Sequence, residues 1–151
     1  MKFERILVVT LSLGLLAAWA APQKKSNRRY INHPRDTSRQ TLPYRDAVLV
    51  GDTLYLAGKI GLTTDRKVPS TAEEEAKLVM DDVKKTLTEA GFSMEDLVSV
   101  QVFCSDPVHY EAFNSVYRTY FQKDFPARAF IGSGKLLFNA RFEVQGIAAR
   151  R

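Results

Sequence analysis

Short runs of apolar and β-branched residues alternate with polar residues along most of this chain, a pattern typical of β-strands. The runs that predict strands are 47–50, 53–56, 98–104, 127–131 and 142–148. Gly51-Asp52 separates the first two runs, which predicts a hairpin with a two-residue turn. In the third run Val98, Val100 and Val102 are expected on one side of the sheet.

Two further segments repeat their apolar residues every three or four positions, as amphipathic helices do. The first helix is expected to begin after Ser70, because Ser70 can cap it and Glu73 can complete a capping box, and to end at Gly91. Asp106-Pro107 suits the start of the second helix. The apolar positions are Ala76, Met80, Val83, Leu87 and Ala90 in the first helix, and Tyr110, Phe113, Tyr117 and Phe121 in the second. We interpret the aromatic residues as core packing.

The order of these elements predicts the fold class. A chain of 151 residues with 45% hydrophobic content is long enough for one domain with a single core. The predicted order β-β-α-β-α-β indicates an α+β domain over residues 40–151, with a mixed sheet and both helices on one face.

The N-terminus has the layout of a secretory signal peptide, predicted over residues 1–20. Lys2 and Arg5 precede an apolar run at 6–16, which is followed by Ala-Trp-Ala at 18–20. The run is shorter than the ~20 residues that cross a bilayer, so no transmembrane domain is predicted. We therefore expect an exported, periplasmic or secreted protein, with an uncleaved anchor as the alternative.

The formal net charge of +5 is concentrated in a short arm. Residues 23–39 contain six basic side chains and one acidic side chain, whereas residues 40–151 contain 14 basic and 15 acidic ones, a net charge of −1. We interpret residues 21–39 as a basic disordered linker, with loose attraction to polyanions or membrane surfaces as the alternative. No specific nucleic-acid partner is expected, because the predicted domain lacks a basic excess.

Few residues could support metal, disulfide or cofactor chemistry. Cys104 is the single cysteine and closes an apolar run, so we expect a buried, inert thiol. His33 and His109 are the two histidines, and no cluster has metal-ligand spacing. We expect neither a metal nor a cofactor.

Two charged residues stand inside otherwise apolar strands. Arg128 lies in Phe125–Ile131, and Glu143 lies in the next strand. A buried charge requires a partner or a ligand, because an unpaired one is costly to desolvate. One interpretation is a cross-strand ion pair between the two residues. The other is that Arg128 binds a substrate carboxylate through two parallel hydrogen bonds.

The sequence around these two residues resembles the Rid family, the reactive intermediate deaminases. Pro126-Ala127-Arg128 is followed 15 residues after the arginine by Glu143, within a Phe-Glu-Val-x-x-Ile-Ala ending that is similar to the family signature. Weaker similarities are Pro43-Tyr44, the segment Leu56–Ile60 and Asn114.

The resemblance implies a chorismate-mutase-like fold, a homotrimer with active sites between subunits, and cofactor-free hydrolysis of 2-imino acids, such as 2-iminopropanoate and 2-iminobutanoate, to 2-oxo acids and ammonia. It implies that Arg128 binds the substrate carboxylate and that Glu143 orients or activates the attacking water. The backbone of Gly58 would contact the substrate, and Tyr44 and Asn114 would line or support the pocket.

Several positions depart from the family pattern. Phe130 could narrow the pocket or change which side chain it accepts. Lys59 would add a positive charge near the site that could favour a dicarboxylate, with a simply solvated lysine as the alternative. Ala57, Ala129 and Gln145 also replace residues that are common in the family. Two alternatives stay open: a ligand-binding or chaperone-like trimer without efficient turnover, and an RNA-cleaving protein of the L-PSP type.

Overall fold

The structure is a computed structural model that describes residues 27–32 and 43–150. The predicted signal peptide at 1–20 lies outside these residues, as does most of the predicted linker at 21–39. Within the described ranges, no helix combines the length and the apolar character needed to cross a membrane.

In the described part of the chain, one six-stranded mixed sheet and two α-helices form the domain. Its strands lie in the order β1-β2-β3-β6-β4-β5, and β4 and β5 form the one parallel pair in it. The strands are β1 Arg28–Ile31, β2 Ala47–Val50, β3 Thr53–Ile60, β4 Leu97–Cys104, β5 Ala127–Gly132 and β6 Phe142–Ala149, and the helices are α1 Ala72–Ala90 and α2 Tyr110–Tyr117. The α+β class and the mixed sheet are confirmed.

The predicted order of elements is wrong in two places, since the observed order is β-β-β-α-β-α-β-β. The runs at 127–131 and 142–148 form two separate strands, β5 and β6, whereas the predicted order contains only one strand after the second helix. β1 falls inside the segment that we predicted as a disordered linker, but it pairs antiparallel with β2. Ile31 is buried in the core, and the Arg29 guanidinium donates to Ala90 O at 2.6 Å. The apolar Tyr30-Ile31 pair within the basic arm is the sequence feature that the charge count concealed.

Helix α1 begins one residue later than predicted. Its N-cap is Thr71, whose hydroxyl accepts from Glu74 N at 3.2 Å, while the Glu74 carboxylate accepts from Thr71 N at 3.3 Å. This capping box replaces the predicted Ser70–Glu73 pair. Ser70 instead donates its hydroxyl to Glu74. The predicted stop at Gly91 is confirmed, with a left-handed φ of 81° that suits glycine.

A bulge in β4 changes which valines face the core. The pairing of β4 with β6 shifts between Leu97 and Ser99, and Val98 is 49% exposed. Val100, Val102 and Cys104 are buried beneath the helices. The prediction that Val98 shares their side is wrong, because the bulge interrupts the strict alternation that it assumed.

Both helices pack on the same face of the sheet, as predicted. α1 contacts α2, β3 and β6, and Phe113 of α2 packs on Phe142 of β6 with ring centroids 4.9 Å apart. Cys104 is fully buried and its thiol donates to Asp106 O at 3.0 Å. The predicted burial of Cys104 is confirmed, and this burial raises the pKa of its thiol.

Candidate active site

Arg128 lies on the edge strand β5, and its side chain extends to the face that carries the helices. Its position opposite Val100 in the β4–β5 register sets this direction, because Val100 is a core residue. The guanidinium carbon is 4.6 Å from the ring centroid of Tyr117, 5.7 Å from that of Phe130 and 6.0 Å from that of Tyr110. Three aromatic rings therefore surround the planar guanidinium group of Arg128, which we call the Arg128 fork.

These rings hold Arg128 without satisfying its hydrogen-bond donors. Cation–π contacts contribute about 0.5–2 kcal/mol each, depending on desolvation, and leave the N–H groups unpaired. Among the residues that the structure describes, Arg128 has no ion pair or hydrogen-bond acceptor. A half-buried guanidinium with unpaired N–H donors is suited to binding a carboxylate, because a carboxylate accepts two parallel N–H hydrogen bonds.

A cleft of about 240 Å³ opens beside this fork. We call it the Arg128 cleft, and its lining residues are Tyr110, Asn114, Tyr117, Arg118, Phe125, Pro126 and Arg128. Asn114 is buried on α2 and lies in the cleft, as expected of a pocket residue. Phe130 is adjacent to the Arg128 guanidinium but is not one of the lining residues of the cleft. Its ring packs edge-on against Tyr110 with centroids 4.9 Å apart.

The Tyr117 hydroxyl is an unusual polar group in this region. Tyr117 is 3% exposed, and its hydroxyl has no hydrogen-bond partner among the described residues. Burial raises the pKa of Tyr117 to about 12, against the opposing effect of the positive charge on Arg128. The phenol is therefore a neutral group at physiological pH, stacked on the guanidinium.

Glu143 lies on the opposite face of the sheet. It pairs with Phe103 of β4 and Ile60 of β3, whereas its neighbour Val144 is buried under the helices. Its carboxylate has no ion pair or hydrogen bond with any residue in the described part of the chain. We call this region the Glu143 face.

Gly58 leaves the space that the Glu143 carboxylate occupies. A Cβ added at Gly58 would overlap Glu143 Oε1 and lie 2.9 Å from its Cδ. The backbone of Gly58 therefore borders the carboxylate, as the resemblance implied. Tyr44 is 52% exposed in the adjoining loop, which is joined to β3 through Ala57 N donating to Asp46 O at 3.0 Å.

A buried carboxylate fixes the start of β6 immediately before Glu143. Glu75 of α1 is fully buried and accepts hydrogen bonds from Arg141 N at 2.6 Å and Phe142 N at 3.0 Å. The Arg141 guanidinium also donates to Glu75 at 2.9 Å. This network determines where β6 begins, and therefore the direction in which Glu143 extends.

The cross-strand ion pair between Arg128 and Glu143 does not form. β4 lies between their strands, and the two side chains extend from opposite faces of the sheet. One chain therefore contains two separate groups of predicted site residues. Arg128, Asn114 and Phe130 form one group, and Glu143 and Gly58 form the other.

Lys59 lies in neither group, so the expectation that it adds charge to the site is wrong. A bulge in the β3–β6 pairing between Leu56 and Lys59 turns this side chain under the helices, where it is 4% exposed. Its ammonium is 2.6 Å from Asp46 and 3.7 Å from Asp82. Lys59 joins the Tyr44 loop and α1 to the sheet.

Two features of the Arg128 cleft were not predicted from the sequence: the aromatic rings that line it and its second cation, Arg118. Tyr110 and Tyr117 were interpreted as packing, and Arg118 was not considered. Asn114 was the available signal, because positions 110, 114, 117 and 118 follow helical spacing and lie on the same side of α2.

A second depression, of about 300 Å³, lies near the C-terminal end of α1. Its lining residues are Lys84, Thr88, Phe92, Ser93, Met94, Glu95, Tyr120 and Gln122. It contains one basic and one acidic side chain, and none of the predicted site residues.

The chain is a small α+β protein with an unpaired arginine beside an open cleft, and its family follows from its similarity to known proteins. A family model described as Endoribonuclease L-PSP matches residues 36–150. The chain belongs to this family, which includes the Rid proteins.

Similar curated proteins include two named 2-iminobutanoate/2-iminopropanoate deaminase. The one from Dermatophagoides farinae is 36% identical over 107 residues, which cover 70% of this chain and 84% of the relative. The one from Capra hircus is 36% identical over 110 residues, which cover 72% and 80%.

Solved structures of the family superpose on this chain. A putative endoribonuclease from Thermotoga maritima has a TM-score of 0.70 at 34% identity, covering 74% of this chain and 89% of that one. The E. coli protein TdcF with bound serine has a TM-score of 0.69 at 26% identity, covering 73% and 90%.

Proposed function

We propose that this protein is a cofactor-free hydrolytic deaminase that converts small 2-imino acids to 2-oxo acids and ammonia. The observation that carries the proposal is the unpaired Arg128 fork, held by aromatic rings beside an open cleft. The unpaired Glu143 carboxylate supplies a general base. Relatives named as 2-iminobutanoate/2-iminopropanoate deaminases, and one solved with bound serine, support a small carboxylate substrate.

The proposed site forms between copies of the chain. Arg128 and Glu143 are on opposite faces of one sheet, so Arg128 of one copy would meet Glu143 of a neighbouring copy. The Glu143 face supports this arrangement, because it carries Tyr55, Phe103 and Ile147 and no described element covers them. Tyr55 is 49% exposed. A homotrimer, as the resemblance implies, would bury this apolar surface.

In the proposed reaction Arg128 binds the substrate carboxylate and fixes the position of the imine carbon. Water adds to the protonated imine, and Glu143 accepts a proton from it as the C–O bond forms. Glu143 then returns this proton to the amino nitrogen and the C–N bond breaks. As the carbonyl forms, Glu143 takes the hydroxyl proton and passes it to the departing ammonia, which leaves as ammonium. The imine carbon is already electrophilic, so positioning and one general base are sufficient.

The direct test is the release of ammonia from 2-iminopropanoate that an amino-acid oxidase generates in situ. We expect the protein to exceed the spontaneous rate of hydrolysis, and Arg128→Ala and Glu143→Gln each to remove the excess. Carboxylate binding without ammonia release would instead indicate the ligand-binding trimer. RNA cleavage that persists in both variants would indicate the L-PSP-type activity in place of the deaminase.

We also propose that the protein is exported, on the basis of the sequence at residues 1–20. Cell fractionation and N-terminal sequencing of the mature chain test this. A cytoplasmic chain that retains Met1 would contradict it.

A further inference from the structure

The Arg128 cleft contains a second guanidinium. Arg118 immediately follows α2, one helical turn beyond Asn114, and its side chain lines the same cleft as Arg128. Arg118 has no ion pair or hydrogen-bond acceptor for its guanidinium among the described residues. The cleft therefore holds two cationic side chains, where one is sufficient for a monocarboxylate.

Among the described residues, no acidic side chain lines this cleft. Its polar residues are the two arginines, Asn114, Tyr110 and Tyr117, and each of them carries a group that can donate a hydrogen bond. Two cations that share a cleft of about 240 Å³ repel one another, and a ligand with two negative groups would remove this repulsion. Lys59, the cation that the sequence suggested for this purpose, is paired with Asp46 instead.

We propose that the cleft selects dicarboxylic 2-imino acids, with the carboxylate next to the imine carbon on Arg128 and the distal carboxylate on Arg118. This inference rests on the proposed function for its chemistry, but its binding component does not need turnover. The distal carboxylate enters at the exposed end of α2, where Arg118 contacts it without becoming fully desolvated. The preference is therefore expected to weaken at high salt.

The first experiment measures binding alone, by calorimetry, with succinate and butyrate as probes of equal carbon number. We expect the full-length protein to bind succinate about tenfold more tightly than butyrate, the effect of one partly exposed charge-assisted contact of about 1.4 kcal/mol. Arg118→Gln should lower the affinity for succinate about tenfold more than the affinity for butyrate. Equal affinities for the two probes, or an equal effect of the variant on both, would overturn the inference.

Lys123→Gln is the matched control, because Lys123 is an exposed cation five residues after Arg118 in the sequence and does not line the cleft. This variant removes the same formal charge and should leave both affinities unchanged. If Lys123→Gln weakens succinate binding as much as Arg118→Gln does, general electrostatic attraction accounts for the preference and the specific role of Arg118 is overturned.

A second experiment compares hydrolysis of the imines of aspartate and alanine, each generated by an oxidase. We expect a kcat/KM about tenfold higher for the dicarboxylic imine, and a loss of this ratio in Arg118→Gln. Hydrolysis of both imines at equal rates would overturn the dicarboxylate preference and leave the deaminase intact. Absence of any hydrolysis would contradict the proposed deaminase, while the binding experiment still decides the role of Arg118.

Discussion

The Arg128 cleft and the Glu143 face hold charged residues in contrasting ways. In the cleft, aromatic side chains of α2 and β5 surround the guanidinium and leave its donors unpaired. On the Glu143 face the backbone sets the geometry, because Glu75 fixes the start of β6 and Gly58 provides space for the carboxylate. Changes to the rings around Arg128 should therefore have graded effects, whereas a small change at the backbone of Gly58 should strongly affect Glu143.

The largest effect is expected from removal of the fork itself. Arg128→Ala should lower kcat/KM for imine hydrolysis by about 10³-fold or more, because it removes a bidentate charge-assisted contact and the positioning of the imine carbon. Arg128→Lys should be intermediate, since it keeps the charge without the fork geometry. Thermal unfolding measurements should show that both variants fold, and full activity of folded Arg128→Ala would contradict the role of Arg128.

The second-largest effect on activity is expected from adding a single methyl group at Gly58, beside Glu143 on the other face of the sheet. Gly58→Ala places a Cβ where Glu143 Oε1 lies, so the carboxylate must move. We expect kcat to fall about 100-fold, the cost of a misplaced general base. Gly51→Asn is a control at a turn glycine with φ of 59° and no atom within 4 Å of the added Cβ. Equal losses in the two variants would show that Gly58 has no specific link to Glu143.

Replacement of the stacked ring should have a smaller effect. Tyr117→Leu removes the ring 4.6 Å from the Arg128 guanidinium and should raise KM about tenfold, with a smaller change in kcat. Tyr117→Phe keeps the ring and should restore most of the loss. Steady-state kinetics of the two variants separate stacking from the hydroxyl, and identical defects in both would contradict positioning by the ring.

The same residue leads to a prediction about pH. The pKa of Tyr117 is raised to about 12, so the phenol stays protonated at all pH values well below 12. The rate–pH profile of Tyr117→Phe should therefore keep the shape of the wild-type profile between pH 6 and 10. Loss of a limb of that profile would show that Tyr117 titrates during turnover.

The smallest effect on catalysis is expected at Lys59, where the consequence is structural. Lys59→Met leaves Asp46 buried without its ammonium partner and should lower the free energy of unfolding by about 3–5 kcal/mol. The double variant Lys59→Met/Asp46→Asn should recover part of this loss in denaturant titrations. A changed substrate preference in a Lys59→Met variant that is still folded would contradict this structural role and would place Lys59 in the site.

The sequence predicted the elements well, but it could not show which side chains meet. Apolar periodicity identifies strands and helices because burial imposes it, and Arg128 and Glu143 stood out as charges within apolar strands. The bulge at Leu97/Ser99 moved Val98 away from its expected side, and the bulge at Leu56/Lys59 placed Lys59 away from the expected site. The placement of β4 between β5 and β6 separated Arg128 from Glu143, and no local pattern contains that information.

The most direct test of a site shared between copies is subunit complementation. Arg128→Ala and Glu143→Gln chains, inactive separately, are unfolded and refolded together in equal amounts, and ammonia release from 2-iminopropanoate is measured. If each site takes Arg128 from one copy and Glu143 from another, about a quarter of the sites in randomly mixed oligomers are intact, and about a quarter of the wild-type activity should return. No recovery in mixed oligomers of wild-type size would contradict the shared site.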